Sequence, residues 1–365
     1  MKNKPRILFI TPLPPPVHGS SMVSRYLQES ERLREQYQPT FINLSTSRKM
    51  SEIGKRSILK MFRFIGTYGK VLSQLVMHRF DLCYLAITCQ GIGFLKDAPF
   101  VLLCKLFCKK VVVHQHNKGM CRVVHRFPYN RLLPWVYGNV EVILLSWKLY
   151  PDVLEVVPKK NVWICPNGIP EVESWKQKTQ TEFPRLLFLS NLVESKGVYV
   201  MLDACKLLKE RGHRFMCHFV GGESKEINRE RFQQEVSDRQ LDDCVFYVGP
   251  QYGTDKERYF QEATLFVQPT FEDCFPLTIL EAMQYGLPVV STDEGAIPDM
   301  VIDGETGFIC PRKNVEALVN SIEKLLINKE LCKQMGEKGR LRYKERYTVE
   351  AFEKKFLDIL SEILN

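Results

Sequence analysis

Short runs of consecutive apolar, β-branched residues alternate along the chain with longer stretches in which apolar residues recur every three or four positions. The first pattern predicts buried strands and the second amphipathic helices. In the first half, strands are predicted over Arg6–Thr11, Thr40–Leu44, Asp81–Ala86, Lys110–His114, Val142–Ser146 and Val162–Cys165. Helices are predicted between them over Ser20–Arg34, Ser57–Met77 and Phe94–Phe107. In the second half the strands are Arg185–Ser190, Phe215–Val220, Cys244–Val248, Leu265–Gln268 and Pro288–Thr292. Helices there cover Gly197–Arg211, Asn228–Asp238, Asp255–Glu262, Pro276–Tyr285, Val315–Ile327, Lys329–Arg342 and Val349–Leu364. Such alternation implies βαβ units and parallel sheets covered on both faces. The expected fold class is therefore α/β, with two facing Rossmann-like, doubly wound domains and a cleft between them. Pro and Gly interrupt the pattern at Cys165-Pro166-Asn167-Gly168-Ile169-Pro170, which sets the expected boundary: residues 1–166, then 167–345.

Composition narrows the class. The 365 residues are 45% hydrophobic and 25% charged, which excludes disorder, collagen and coiled coil as the main state. No apolar run approaches the roughly 20 residues of a membrane span. The run ending at Ile10 is expected to be a first strand and not a secretory leader. Twelve Cys without a CxxC pair or zinc spacing point to buried reduced thiols and a cytoplasmic address.

Charge is divided unevenly. Residues 1–170 hold 25 Lys and Arg against 9 Asp and Glu, a net +16, and the remainder is −7. The basic half is expected to meet something anionic. Lys55, Arg56, Lys60, Arg63, Lys70 and Arg79 lie among Ile, Leu, Met and Phe, with Arg122, Arg126 and Arg131 further on. That stretch reads either as a basic amphipathic helix for an anionic membrane or as a solvated helix face. No nucleic-acid-binding motif accompanies the charge.

In open α/β sheets, ligands bind beyond the carboxyl ends of the strands. The segment from Gln268 to Met283 is such a place: a strand end, an acidic loop and a helix opening at Pro276. The N–H groups of Leu277 and Thr278 then form an anion site, and Glu281 leans back toward the same opening. Amide donors for phosphate beside carboxylates for hydroxyls suit a polyol tied to a phosphate. The plain alternative is that Asp273 caps the helix and Glu281 is solvated. Val112–Gly119 ends another strand with His114 and His116, which point the same way; no third metal ligand accompanies them. The loop Thr11–Ser21 lacks the GxGxxG fingerprint, which argues against NAD. No Asp-x-Asp closes a strand, and no obligatory metal or other cofactor is expected.

Asp273, seven residues, Glu281-Ala282-Met283 and then Gly286-Leu287-Pro288-Val289 resemble the retaining nucleotide-sugar glycosyltransferases of family 4, which have the GT-B fold. Leu189–Gly197, Ser291–Val301 and Thr306-Gly307-Phe308 extend the resemblance over most of the chain, to the type that builds bacterial surface polysaccharides. Two positions depart from that pattern: Asp273 where Glu is usual, and Asn191 where an Arg grips the donor diphosphate. The resemblance implies transfer of a hexose, with retention, from a nucleoside diphosphate sugar to a hydroxyl. It makes Glu281 the ribose holder, Asp273 the contact to the transferred sugar, and Lys196 the cation on the diphosphate. His116 joins Asp273 and Lys196 as catalytic residues. Gly19, Ser20, Asn191, Phe275, Leu277 and Thr278 complete the donor site, Gly19 in a loop free to swing. His18, Asn117 and Lys118 are expected at the acceptor, a glycan or a polyprenyl-linked or glycolipid molecule. The last helix, within 346–365, is expected to return to the N-terminal domain, and the protein to be cytoplasmic or peripheral on the membrane's inner face. An epimerase of sugar nucleotides and a non-catalytic binding or scaffold protein are the alternatives.

Overall fold

A computed structural model describes residues 4–15, 19–45, 58–172 and 183–365. His18, Lys55 and Arg56 lie outside them. The chain divides into two compact units, one of residues 1–168 with 349–365 and the other of residues 169–348.

The first unit is built on β1 (Arg6–Thr11), α1 (Gly19–Glu29), α2 (Glu31–Gln36), β2 (Gln38–Asn43), α3 (Ile58–Met77), β3 (Leu82–Ile87), α4 (Gly91–Phe107), β4 (Lys110–Gln115), α5 (Tyr129–Tyr137), β5 (Glu141–Leu144) and β6 (Val162–Ile164). The six strands are parallel in the order β2-β1-β3-β4-β5-β6. The predicted single helix over Ser20–Arg34 is two. Ser30 takes an extended conformation and its side chain accepts from the Leu33 N–H, so it caps a second helix instead of continuing the first. The pattern also missed α5, whose interior Pro134 argues locally against a helix.

The period of two sorts each strand onto two cores. Ile7 and Phe9 of β1, with Leu82 and Tyr84 of β3, face one side. Leu8 and Ile10, with Cys83 and Leu85, face the other, where α3, α4 and α5 pack.

The second unit comprises β7 (Arg185–Leu189), α6 (Val198–Glu210), β8 (Met216–Val220), α7 (Arg229–Asp238), β9 (Val245–Gly249), α8 (Gly253–Glu262), β10 (Leu265–Gln268), α9 (Leu277–Gln284), β11 (Val289–Thr292), α10 (Ile297–Met300), β12 (Gly307–Cys310), α11 (Val315–Ile327) and α12 (Lys329–Arg346). Its parallel order is β12-β11-β10-β7-β8-β9. The edge strand β12 was not predicted, because four residues opening on Gly307 carry little strand signal.

The last helix, α13 (Val349–Leu364), belongs to the first unit. Its Phe352, Phe356, Leu360 and Ile363 complete the core under Ile7 and Phe9. The Phe356 ring lies 5.3 Å from that of Tyr84 and 6.4 Å from that of Phe9. Phe356 is fully buried. Phe356→Ala should therefore destabilise the first unit by about 3–5 kcal/mol, read as an earlier unfolding transition in urea.

Candidate functional site

In the second unit the chain runs β7-β8-β9 outward and then crosses back to place β10 on the other side of β7. The loops leaving β7 and β10 therefore diverge at a topological switch point, where an open sheet leaves a crevice. Lys196 stands on the first of these loops and Asp273 on the second. Lys196 Nζ is 2.6 Å from Asp273 Oδ2 and donates to the Glu272 carbonyl at 2.9 Å. Both side chains are largely buried, which sets this pair apart from a surface ion pair worth about 0–1 kcal/mol.

Short bonds brace the two loops. The Thr270 hydroxyl and the Phe271 N–H both donate to the Ser195 carbonyl, at 3.1 and 2.9 Å. The Thr292 hydroxyl donates to the Thr270 carbonyl at 2.5 Å. Gly197 has φ +86°, and a Cβ there would sit 2.2 Å from the Pro269 carbonyl oxygen. No other residue allows this approach without moving backbone.

Behind Asp273 lies Glu294, 1% exposed. Its Oε1 accepts the Asp273 N–H at 3.0 Å, and Arg312 Nη1 reaches its Oε2 at 3.0 Å. The guanidinium offsets the cost of burying this carboxylate. Next to it Gly295 has φ +53°, and a Cβ would meet the Asp273 carbonyl oxygen at 2.4 Å. Asp273 is thus held from three sides, by Lys196, Glu294 and the turn at Gly295.

Asp273 does not cap a helix. Its Oδ1 accepts from the Cys274 N–H at 2.8 Å, and α9 begins at Leu277 with Pro276 at the cap position, one residue later than expected. Leu277 and Thr278 are then the first helical residues, whose N–H groups have no intrahelical acceptor. The Thr278 hydroxyl donates to Gln268 Oε1 at 2.7 Å. Glu281 is not a solvated helix residue either: its Oε1 pairs with Lys256 at 2.8 Å, and its Oε2 is buried without a hydrogen-bond partner among the described residues. A buried carboxylate oxygen left so has the capacity to accept a hydrogen bond from a donor such as a hydroxyl. Phe275 turns its ring inward, 6.2 Å from that of Tyr347. Asn191 accepts the Gly222 N–H at 2.9 Å and ties the loops after β7 and β8.

In the first unit the switch point lies between β1 and β3. Gly19 and Ser20 are the first two residues of α1, so Gly19 is not in a swinging loop; its turn is already helical. His116 follows β4, its ring 4.1 Å from that of His114. His114 is fully buried, 2.6 Å by Nδ1 from the Tyr84 hydroxyl. Burial, with His116 beside it, pushes its imidazole pKa well below the usual value. Asn117 accepts the Cys89 N–H at 3.0 Å, and the Lys118 carbonyl accepts from Gln90 at 3.1 Å. Asp152 holds the next turn by accepting the Gly119 and Met120 N–H groups at 2.9 and 3.1 Å. Among the described residues no group of three or more His, Cys, Asp or Glu could hold a metal ion.

Residues 171–342 match the family model "Glycosyl transferases group 1". The second unit is a group 1 glycosyltransferase domain. The amylovoran biosynthesis glycosyltransferase AmsK of Erwinia amylovora is 29% identical over 204 residues, 53% of this chain and 48% of that protein. The chain thus spans about half of AmsK in this match. The lipopolysaccharide 1,2-N-acetylglucosaminetransferase of Salmonella typhimurium is 24% identical over 272 residues, 67% of this chain and 71% of the other. Among solved structures, sucrose-phosphate synthase from Thermosynechococcus elongatus matches with a TM-score of 0.77 at 17% identity over 99% of both chains. HepE from Anabaena, solved with UDP, matches at 0.74 and 14% identity over 98% of this chain and 100% of the other. These likenesses show the GT-B fold, with two Rossmann-like domains.

The group 1 domain brings three further residues to the candidate site that no local sequence signal marks. Glu294 lies inside Ser291–Val301, but nothing local marks it as the acceptor for Asp273. Arg312 and Lys256 meet their carboxylates from separate elements, and no spacing signals those pairs.

In the first unit, neutral His114 gives a sign to the pH dependence. Unfolded, it takes up a proton near pH 6.5; folded, it does so only much lower. Stability is therefore fully present above about pH 6.5 and falls by about 1.4 kcal/mol per pH unit below it. Urea titrations between pH 7 and 5.5 should show this slope, and His114→Asn should flatten it.

Proposed function

We propose that this chain transfers a hexose from a nucleoside diphosphate sugar to an acceptor hydroxyl, with retention at the anomeric carbon and without an obligatory metal. The observation that carries the reading is the Lys196–Asp273 pair at the switch point, with the α9 opening and Glu281 following it on the same segment. The relatives described as glycosyltransferases of surface polysaccharides, and the UDP bound by HepE, support the donor class and the setting.

In this reading the α9 N–H groups and Lys196 take the diphosphate, and Glu281 Oε2 accepts a ribose hydroxyl. An ammonium has three donors, so Lys196 can hold Asp273 and still serve phosphate. Asp273, held by Lys196 on one oxygen, turns its remaining acceptor capacity to the hydroxyls of the sugar. The bond from the anomeric carbon to the phosphate oxygen breaks, and the bond to the acceptor oxygen forms on the same face. The acceptor proton passes to the departing phosphate oxygen, and Lys196 offsets the developing charge. Asn191, lacking a guanidinium, serves as a loop brace, which places more of the phosphate binding on Lys196 and the helix opening. The acceptor is a glycan or a polyprenyl-linked or glycolipid molecule, met by the basic first unit through Asn117 and Lys118, and His116 lies beside the transferred sugar as a catalytic residue. The reaction takes place in the cytoplasm.

Thermal shifts with a panel of nucleoside diphosphates and their sugars test the donor class, since binding raises the melting temperature by mass action. Glu281→Ala and Lys196→Ala should each weaken the responding donor by about 10- to 100-fold, the range of a lost charge-assisted bond. Unchanged affinity in both would remove the site from the second unit. Binding without transfer to any acceptor would favour a non-catalytic protein, and release of a free epimer an epimerase. Once an acceptor supports transfer, EDTA should leave turnover unchanged.

A further inference from the structure

The 20-residue helix α3 carries two apolar faces, and only one of them is covered. Val71 and Leu75 are buried, and Phe64 and Tyr68 pack on Phe100 of α4 with ring centroids 5.4 and 5.5 Å away. The second face is a row at three- and four-residue spacing: Ile58, Phe62, Ile65, Leu72 and Val76, with Gly69 in its one gap. These side chains are 72, 64, 56, 38 and 65% exposed. A Cβ at Gly69 would meet nothing within 4 Å, so nothing among the described residues covers the row.

Isolated exposed apolar residues are ordinary, but a continuous row of large ones along a helix marks an interaction surface. The polar residues of the same helix identify the partner. Lys60, Arg63 and Lys70 are its charged residues, and it has no Asp or Glu. On a helical wheel these cations fall opposite the exposed row, and the covered face lies to one side.

We propose that α3 is a membrane-docking helix, lying in the plane of an anionic lipid surface with Ile58, Phe62, Ile65, Leu72 and Val76 inserted among the acyl chains. Lys60, Arg63 and Lys70 attract the acidic headgroups. Helices with this division, cations on one side and large apolar residues on another, bind the bilayer boundary without crossing it. Among the described residues no helix is long and apolar enough to cross. The segment 46–57 carries only Met50 and Ile53 as large apolar residues, too few to cover the row.

The proposal does not rest on the donor site. The test is sedimentation of the full chain with vesicles of phosphatidylcholine alone and of phosphatidylcholine with a third phosphatidylglycerol, at 0.1 M salt. The chain should bind the anionic vesicles at least tenfold more tightly than the neutral ones. Phe62→Ser with Ile65→Ser should lower that binding by about 100-fold, at roughly tenfold per inserted side chain. Both residues are exposed, so the circular dichroism melt and the thermal shift with nucleotide should be unchanged. Val76→Ser, farther along the row, should give a smaller loss and guards against a local fold defect. Equal binding to both vesicles, or wild-type binding by the double variant with an intact melt, overturns the proposal. So does an oligomer in solution that the double variant dissociates, which would assign the row to self-association.

Discussion

The candidate site depends on one buried carboxylate. Glu294 takes the Asp273 N–H on one oxygen and the Arg312 guanidinium on the other, so its burial is compensated and its position fixed. Asp273 is consequently anchored by its backbone, and its side chain remains available to the Lys196 ammonium. The turn at Gly295 lets the loop after β11 approach the Asp273 carbonyl more closely than any side chain would allow. Without this support the acidic loop would be a polar stretch between β10 and α9, with no defined direction for its carboxylate.

The sheet gives that arrangement its location. A parallel strand sends its successor loop out of the carboxyl edge, and a reversal of strand order makes two such loops diverge. Lys196, Asp273, Glu294 and Arg312 leave β7, β10, β11 and β12 respectively, four strands adjacent in the sheet. Their distances in sequence are large, but the strand order makes them neighbours. The same logic explains Asn191: the loop after β7 also borders the loop after β8, and the amide of Asn191 bridges to Gly222.

In the first unit the governing constraint is coverage. Six parallel strands buried on both faces need helices on each side. α13 supplies part of one side from the far end of the chain, placing Phe356 against Phe9 and Tyr84. On the other side α3 presents Phe64, Tyr68, Val71 and Leu75 to the core and has a further apolar row left over. The sheet has no more surface to offer that row. It is this surplus, together with the absence of acidic residues on the helix, that distinguishes α3 from the other covering helices.

The sequence by itself determined the alternation of strands and helices, because burial on two faces or one stripe leaves a period that survives in any context. β1, β10, α11 and α13 were legible to the residue for that reason. It also singled out Asp273 and Glu281, since strand ends and helix openings are local features, while Lys196 entered through the family resemblance. Elements whose local signal was weak or contradictory were missed: β12 beginning on Gly307, α5 around Pro134, and the break at Ser30. Which side chains meet was decided only in the tertiary structure. Glu294 with Asp273, Lys256 with Glu281 and the covered face of α3 depend on strand order and helix packing. Periodicity states that a residue is apolar or charged every so many positions; the partner it finds is set by elements tens of residues away.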